Sequence, residues 1–218
     1  MGLFSFLAKA VFIMSITSIA MAEASPSQIK DILQRPLIVG ASVSADFLTP
    51  SPGKRLALKY TSNDQIKVIA RNGKPAREVL RSVTESSLKD RTAIIGIDLF
   101  FWDSFGGSIQ ESFKALENLK TLSTKLKLPL VLGEIPELSP QFQPHARNLN
   151  AKIHELCKTE NLCKVLPLNS MLRKVLIDGH ITQNGQRYSL QSLLPDGLHI
   201  SAPASEYLSE RVLELFIK

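Results

Sequence analysis

Cysteine is scarce in this chain of 218 residues, because Cys157 and Cys163 are the only two. So low a content excludes a small scaffold held together by many disulfides, and two cysteines without a nearby pair of histidines do not make a zinc site. In an oxidising compartment the two thiols can form a disulfide that staples a short loop; two buried free thiols are the alternative. We expect the disulfide.

Runs of like charge, repeats and low-complexity tracts are also missing. Lys and Arg number 26 against 20 Asp and Glu, and the basic residues are scattered, not clustered with aromatic residues. This distribution argues against nucleic-acid binding. The absence of repeats and interdomain linkers, together with the length, predicts a single domain with a substantial core.

Only one long apolar run is present, and it lies at the N-terminus. Residues 1–22 carry a single charge, Lys9, and end in the small-residue pattern Ala20-Met21-Ala22 before Glu23. This arrangement is typical of a secretory signal peptide with an A-x-A cleavage site. An uncleaved membrane anchor is the alternative, but Lys9 interrupts the run. We therefore expect cleavage, no stable membrane anchor, and a periplasmic or secreted domain at 23–218.

Apolar β-rich runs alternate with helical patterns along the mature chain. Strands are predicted at 37–43, 66–70, 92–97, 130–132 and 165–168, and helices at 26–34, 52–60, 76–88, 108–126, 142–159 and 202–217. Continuous apolar strands separated by helices indicate a parallel sheet covered on both faces. The predicted fold is a three-layer α/β/α sandwich with a five-stranded parallel sheet. In the irregular stretch 181–194, Asn184-Gly185 predicts a small hairpin.

Ser42, Asp196 and His199 occupy positions that suit nucleophilic catalysis. Ser42 lies in a turn after the first predicted strand, and Asp196-Gly-Leu-His199 lies just before the last helix. A serine nucleophile needs a histidine base, and the base needs an orienting carboxylate. Ligands of a parallel sheet sit beyond the carboxyl ends of its strands. The pattern therefore predicts acyl transfer to water at that edge.

Two further loops end at the same edge if the first three strands are neighbours. Asn72-Gly73 follows the second predicted strand, and Asp98 follows the third. Ser44 is a rival nucleophile two residues beyond Ser42, although a place behind the site is expected for it. The aromatic segment Leu99-Phe-Phe-Trp102 offers an apolar wall for an acyl chain or a stacking surface for a sugar, or it is ordinary packing.

Taken in order, these motifs resemble the four sequence blocks of the SGNH hydrolases, also called the GDSL esterase/lipase family. The resemblance spans Leu37 to Ser201 and rests on Gly40-Ala-Ser42, Gly73, Gly96-Ile-Asp98 and Asp196-Gly-Leu-His199. It implies a flavodoxin-like SGNH fold and a Ser-His-Asp triad that forms an acyl-enzyme. It also implies an oxyanion hole at Ser42, Gly73 and Asp98. Apart from the resemblance, we expect Asn72 and Trp102 near the substrate because each follows a strand at this edge. No metal or organic cofactor is implied.

The chain departs from the family pattern at two positions. Ala41 stands where the first block has aspartate, which is not the nucleophile. Asp98 stands where the family has an asparagine that donates a hydrogen bond to the oxyanion. A carboxylate only accepts, and loss of one such donor typically costs about two to three orders of magnitude in rate.

Three explanations of Asp98 stay open. Burial protonates it so that it donates, or it is turned away while Asn72 or a backbone N–H donates, or ordinary hydrolysis has been lost. We favour the second.

The function expected from the sequence is that of an exported serine esterase that acts as a monomer on a small-molecule, lipid or glycan ester. Two alternatives remain. An exported binding or assembly protein would keep the fold without turnover, and an O-acyltransferase or deacetylase would act on envelope glycans with the same triad. The sequence does not choose among the substrates.

Overall fold

The computed structural model describes residues 24–158 and 161–217. The predicted signal segment 1–22 lies outside these described residues. Within them, no helix has both the length and the apolar character needed to cross a membrane.

A five-stranded sheet forms the centre of the described domain. Its strands are β1 (Pro36–Gly40), β2 (Lys67–Ala70), β3 (Ala93–Gly96), β4 (Leu130–Gly133) and β5 (Cys163–Leu166). Every neighbouring pair is parallel, and the order is β2-β1-β3-β4-β5. The predicted parallel sheet is confirmed. The chain order reverses at β1, which has β2 on one side and β3 on the other, so the loops after these three strands leave the same edge together.

Helices cover both faces of the sheet. They are α1 (Pro26–Ile32), α2 (Pro52–Ala57), α3 (Ala76–Val79), α4 (Glu85–Leu88), α5 (Ile109–Lys125), α6 (Ala146–Lys158), α7 (Leu168–Asp178), α8 (Leu190–Leu193) and α9 (Ala202–Ile217). Side chains alternate along each strand: Leu37 and Val39 pack on the face covered by α3, α5 and α6, whereas Ile38 packs on the face covered by α1, α2 and α9. This is the predicted three-layer sandwich.

Several predicted boundaries are wrong for identifiable reasons. The first strand ends at Gly40 and not at residue 43, because the chain turns there and the N–H of Ala45 bonds the carbonyl of Ala41. The predicted helix 76–88 is broken, since Thr84 caps a new helix through a capping box with Ser87. Strand β5 ends at Leu166, two residues before the predicted end.

Helix α7 was not predicted, whereas the hairpin after it is confirmed. Strands β6 (His180–Gln183) and β7 (Gln186–Ser189) pair in antiparallel fashion. Asn184 and Gly185 form the turn with φ of 51° and 78°, the left-handed conformation that such a two-residue turn requires. Together, α7, β6, β7 and α8 form one segment, 168–194, which we call the cap.

A disulfide joins Cys157 to Cys163, as predicted. It links the last turn of α6 to the first residue of β5. Because the strands are parallel, the amino end of β5 lies at the sheet edge opposite to the turn that follows β1. The disulfide is therefore remote from Ser42.

Candidate active site

The turn after β1 places Ser42 at the carboxyl edge of the sheet. Gly40 ends the strand, and a Cβ atom at this position would overlap Asp98 Oδ1 and Ser44 Oγ. Only glycine fits so close an approach without a shift of its neighbours. The glycine of the Gly-Ala-Ser motif therefore permits contact between this turn and the loop after β3.

Ser42, His199 and Asp196 form a continuous hydrogen-bonded chain. Ser42 Oγ lies 3.0 Å from His199 Nε2, and His199 Nδ1 lies 2.7 Å from Asp196 Oδ2. A carboxylate only accepts, so Nδ1 carries the proton and Nε2 is free to accept from the serine hydroxyl. The arrangement matches the geometry in which a histidine can take a proton from serine.

Local backbone structure fixes the carboxylate that faces the histidine. Asp196 Oδ1 accepts the N–H groups of Leu198, at 2.9 Å, and His199, at 2.7 Å. Gly197 has φ of 77°, which lets the chain turn back over the side chain. Hydrogen bonds hold the pKa of Asp196 well below its usual range. The backbone N–H of His199 has the largest effect, followed by the imidazole of His199 and the backbone N–H of Leu198. The aspartate is consequently ionised beside the imidazole.

Phe47 is a contact of the histidine that sequence reasoning missed. Its ring stacks on the imidazole of His199 with centroids 4.3 Å apart, although 51% of the residue is exposed. The ring lies at the end of the turn that begins at Ser42, and its position after the motif is the only signal that the sequence offers. Phe47 limits the rotation of the imidazole and shields one of its faces.

Asp98 faces the turn that carries the serine. Its Oδ2 accepts the N–H groups of Val43, at 2.8 Å, and Ser44, at 3.3 Å, while its Oδ1 accepts the hydroxyl of Ser44 at 2.5 Å. Desolvation is the largest influence and raises the pKa of Asp98, while these hydrogen bonds oppose the rise. Both carboxylate oxygens thus receive donors from the turn.

Ser44, the rival nucleophile, has partners other than the histidine. Its hydroxyl bonds Asp98 and the carbonyl of Val39, and the residue is buried. Ser44 therefore links β1 to the loop after β3.

The remaining predicted site residues are less closely grouped. Gly73 lies in the exposed turn after β2, with φ of 68°, and Asn72 precedes it there. This turn leaves the same sheet edge as Ser42. Trp102 instead packs edge-on against Phe101, at 5.4 Å between centroids, and beside Phe105. The structure thus brings Ser42, Asp98, Asp196 and His199 together and places Trp102 in an aromatic cluster.

Asp103 ties the loop after β3 to the helix that follows Gly73. It is buried and accepts the N–H of Ala76 and the hydroxyl of Ser112, each at 2.6 Å. Burial raises the pKa of this carboxyl group. Because Ala76 begins α3, this contact holds the turn at Gly73 in position.

A mainly apolar cavity of about 140 Å³ lies beside Ser42 and extends under the cap. Ser42, Asp98 and Glu134 are polar groups in its lining, and the lining also includes the two neighbours of His199, Leu198 and Ile200. Glu134 is occupied by other partners: it bonds His154 Nε2 at 2.7 Å and the N–H of Asn169, in the first turn of α7, at 3.0 Å. Among the described residues, no cluster of His, Cys, Asp and Glu suited to a metal ion is found.

No family model and no curated protein sequence matches this chain. Several solved structures, in contrast, match the chain. A lipolytic protein of the G-D-S-L family from Veillonella parvula matches with a TM-score of 0.61 and 13% identity, over 83% of this chain and 97% of that one. The acetylxylan esterase Axe2 from Geobacillus stearothermophilus matches with a TM-score of 0.62 and 11% identity, over 84% and 94%.

The psychrotrophic esterase EstA from Pseudoalteromonas sp., in a structure inhibited by monoethylphosphonate, is also similar. It has a TM-score of 0.55 and 18% identity, over 83% of this chain and 96% of that one. Identities this low establish a shared architecture and not a shared activity. The chain has the α/β/α fold of the G-D-S-L lipolytic proteins and esterases.

Proposed function

We propose that this protein is a carboxylic ester hydrolase that uses Ser42 as its nucleophile. The observation that carries the proposal is the hydrogen-bonded chain from Ser42 Oγ through both ring nitrogens of His199 to Asp196, with distances of 3.0 and 2.7 Å. The fold shared with esterases supports it. A serine, histidine and aspartate in this order are the parts that acyl transfer requires.

In the proposed reaction, Ser42 Oγ attacks the ester carbonyl while His199 Nε2 takes its proton. The imidazolium then donates that proton to the leaving alcohol, and the acyl group remains on the serine. Water, deprotonated by His199, then attacks the acyl carbonyl. The bond to Ser42 Oγ breaks, the imidazolium returns the proton to this oxygen, and the acid is released. Asp196 stays ionised throughout, and it orients and stabilises the imidazolium.

The oxyanion of the tetrahedral intermediate needs donors near Ser42. We assign this role to the N–H groups of Ser42 and Gly73, with Asn72 on the same turn as a further donor. Asp98 holds the turn through Val43 and Ser44. In this assignment Asp98 shapes the oxyanion hole without donating to it.

Replacement of Ser42 by Ala tests the proposal. Hydrolysis of a chromogenic ester should fall by about 10⁶-fold, as when a triad nucleophile is removed elsewhere. A fluorophosphonate should label the wild-type protein on the peptide that contains Ser42, and mass spectrometry identifies the site. Ser44→Ala is the matched control, because it removes the neighbouring hydroxyl and should keep the label. Absence of labelling in folded wild-type protein would instead favour a binding or assembly role.

We also propose that the mature domain is exported after removal of residues 1–22. The A-x-A pattern at Ala20 and Ala22 supports this, and a disulfide is typical of an oxidising compartment. The N-terminal sequence of protein recovered from a periplasmic fraction or the medium should begin at Glu23. Ala22→Leu, which places a large residue at the cleavage site, should leave unprocessed precursor; equal processing of both forms would contradict the assignment.

A further inference from the structure

We propose that the cavity under the cap binds the acyl chain of the substrate, and that the preferred substrates are esters of medium-chain fatty acids. This inference rests on the proposed ester hydrolase function. It goes further by selecting a substrate class, because small acetyl esters and acetylated glycans would leave the cavity unused.

The first support is the composition of the lining. One face of α7 presents Leu168, Met171, Leu172 and Val175 to the cavity. Residues of α8, the residue directly after it and the first turns of α9 extend the same surface, in which Tyr207 is the one polar side chain: Leu190, Leu193, Leu194, Ala204, Tyr207 and Leu208. A surface of this kind offers almost no hydrogen-bonding groups to a sugar hydroxyl, whereas burial of methylene groups against it is favourable.

The second support is the contact between the cavity and the serine turn. Ser42 and Asp98 line the cavity together with Leu198 and Ile200, which flank the catalytic histidine in sequence. An acyl chain attached to Ser42 Oγ can therefore enter the cavity directly. Glu134 also borders this space, but its carboxylate is held by His154 and the start of α7. It does not leave an unpaired charge facing the chain.

The third support is size. A cavity of about 150 Å³ lined by aliphatic and aromatic side chains holds one benzene molecule, which has six carbons. The cavity here measures about 140 Å³. It therefore accommodates an acyl chain of about six carbons, and we expect longer chains to protrude from it.

The experiment is a chain-length profile of kcat/KM with p-nitrophenyl esters from acetate to dodecanoate. Each buried methylene should raise kcat/KM by about fourfold, so hexanoate should exceed acetate by about two orders of magnitude and the gain should then stop. A flat profile, or a preference for acetate in protein that a short-chain fluorophosphonate labels at Ser42, would overturn the inference and leave the hydrolase proposal standing.

Filling the cavity provides the decisive comparison. Val175→Trp places a large ring in the space, and we expect the hexanoate-to-acetate ratio to fall by at least about tenfold. Leu176→Trp is the matched control, because Leu176 is the next residue of α7 and is 58% exposed, whereas Val175 is 6% exposed. Its ratio should equal that of the wild type. Leu172→Phe, at a partly exposed lining position, is a milder second filling variant if Val175→Trp does not fold.

Calorimetry with hexanoate tests the cavity without turnover. Wild type and Leu176→Trp should bind hexanoate more tightly than the filling variants, even if no ester is hydrolysed. Equal affinities in all folded variants would mean that the chain does not enter this cavity.

Discussion

Asp98 is the residue at which the chemistry of this site departs from expectation. A carboxylate stands where the resemblance calls for an amide, yet both of its oxygens accept hydrogen bonds from donors on the serine turn. An asparagine could keep most of these contacts: its oxygen could accept from the amides of Val43 and Ser44. Its NH₂ could donate to Ser44 Oγ, whose own hydrogen would then bond Val39.

We therefore predict that Asp98→Asn folds normally and hydrolyses esters about ten- to a hundredfold faster than the wild type, since the change removes a negative charge from the loop that contacts the serine turn. Steady-state kcat with p-nitrophenyl hexanoate measures the effect. Asp31→Asn, an exposed position in α1, is the control and should not change the rate. A slower Asp98→Asn enzyme would show that the carboxylate has a positive catalytic role.

The same variant should change the pH dependence of stability. Burial raises the pKa of Asp98 in the folded state, so the folded protein binds this proton more tightly than the unfolded chain. This proton binding therefore contributes favourably to the stability of the fold at acidic pH, and the contribution is lost as the pH rises through the folded pKa of Asp98. In urea denaturation, Asp98→Asn should be more stable than the wild type at neutral pH. The difference should shrink as the pH falls through the raised folded pKa towards the ordinary aspartate value of about 4, and it should stay constant below that value.

At the scale of elements, the sequence predicts the sheet better than the cap. A strand such as β3 gives a continuous apolar run in the sequence, because side chains on both faces of the sheet are buried. Helix α7 carries an equally clear pattern, with apolar residues at 168, 171, 172 and 175, the i, i+3, i+4, i+7 spacing of an amphipathic helix. The predicted strand at 165–168 overlaps its first residue, and this overlap hides the start of the helical pattern.

The cap also shows why the site is only partly predictable. Ser42, Asp196 and His199 are identified by local motifs, and the parallel topology places them at one edge. The cavity under the cap is not marked by any local motif. Its walls come from α7, α8, α9 and the loops after β3 and β4, which are distant from one another in sequence. The stacking of Phe47 on His199 likewise depends on the path of a turn. Such contacts follow from tertiary packing and leave no periodic signal.

At the scale of the whole molecule, the candidate active site and the disulfide lie at opposite ends of the strands. The edge beyond the carboxyl ends of the strands carries Ser42, His199 and the cap. The opposite edge carries the disulfide between Cys157 and Cys163, at the start of β5. Changes at the disulfide should therefore alter stability without altering the geometry around Ser42.

We predict that the double replacement Cys157→Ser and Cys163→Ser lowers the free energy of unfolding by about 2 kcal/mol, the value expected for a short closed loop. The values of kcat and KM of the folded variant should match those of the wild type, because the residues that line the cavity do not include either cysteine. Urea denaturation with and without reductant measures the stability. The variant is also the control for the reductant, because reductant should lower the stability of the wild type and leave that of the variant unchanged. If reduction slowed ester hydrolysis by folded wild-type protein, the disulfide would have to act on the serine turn through the sheet, and the two edges would not be independent.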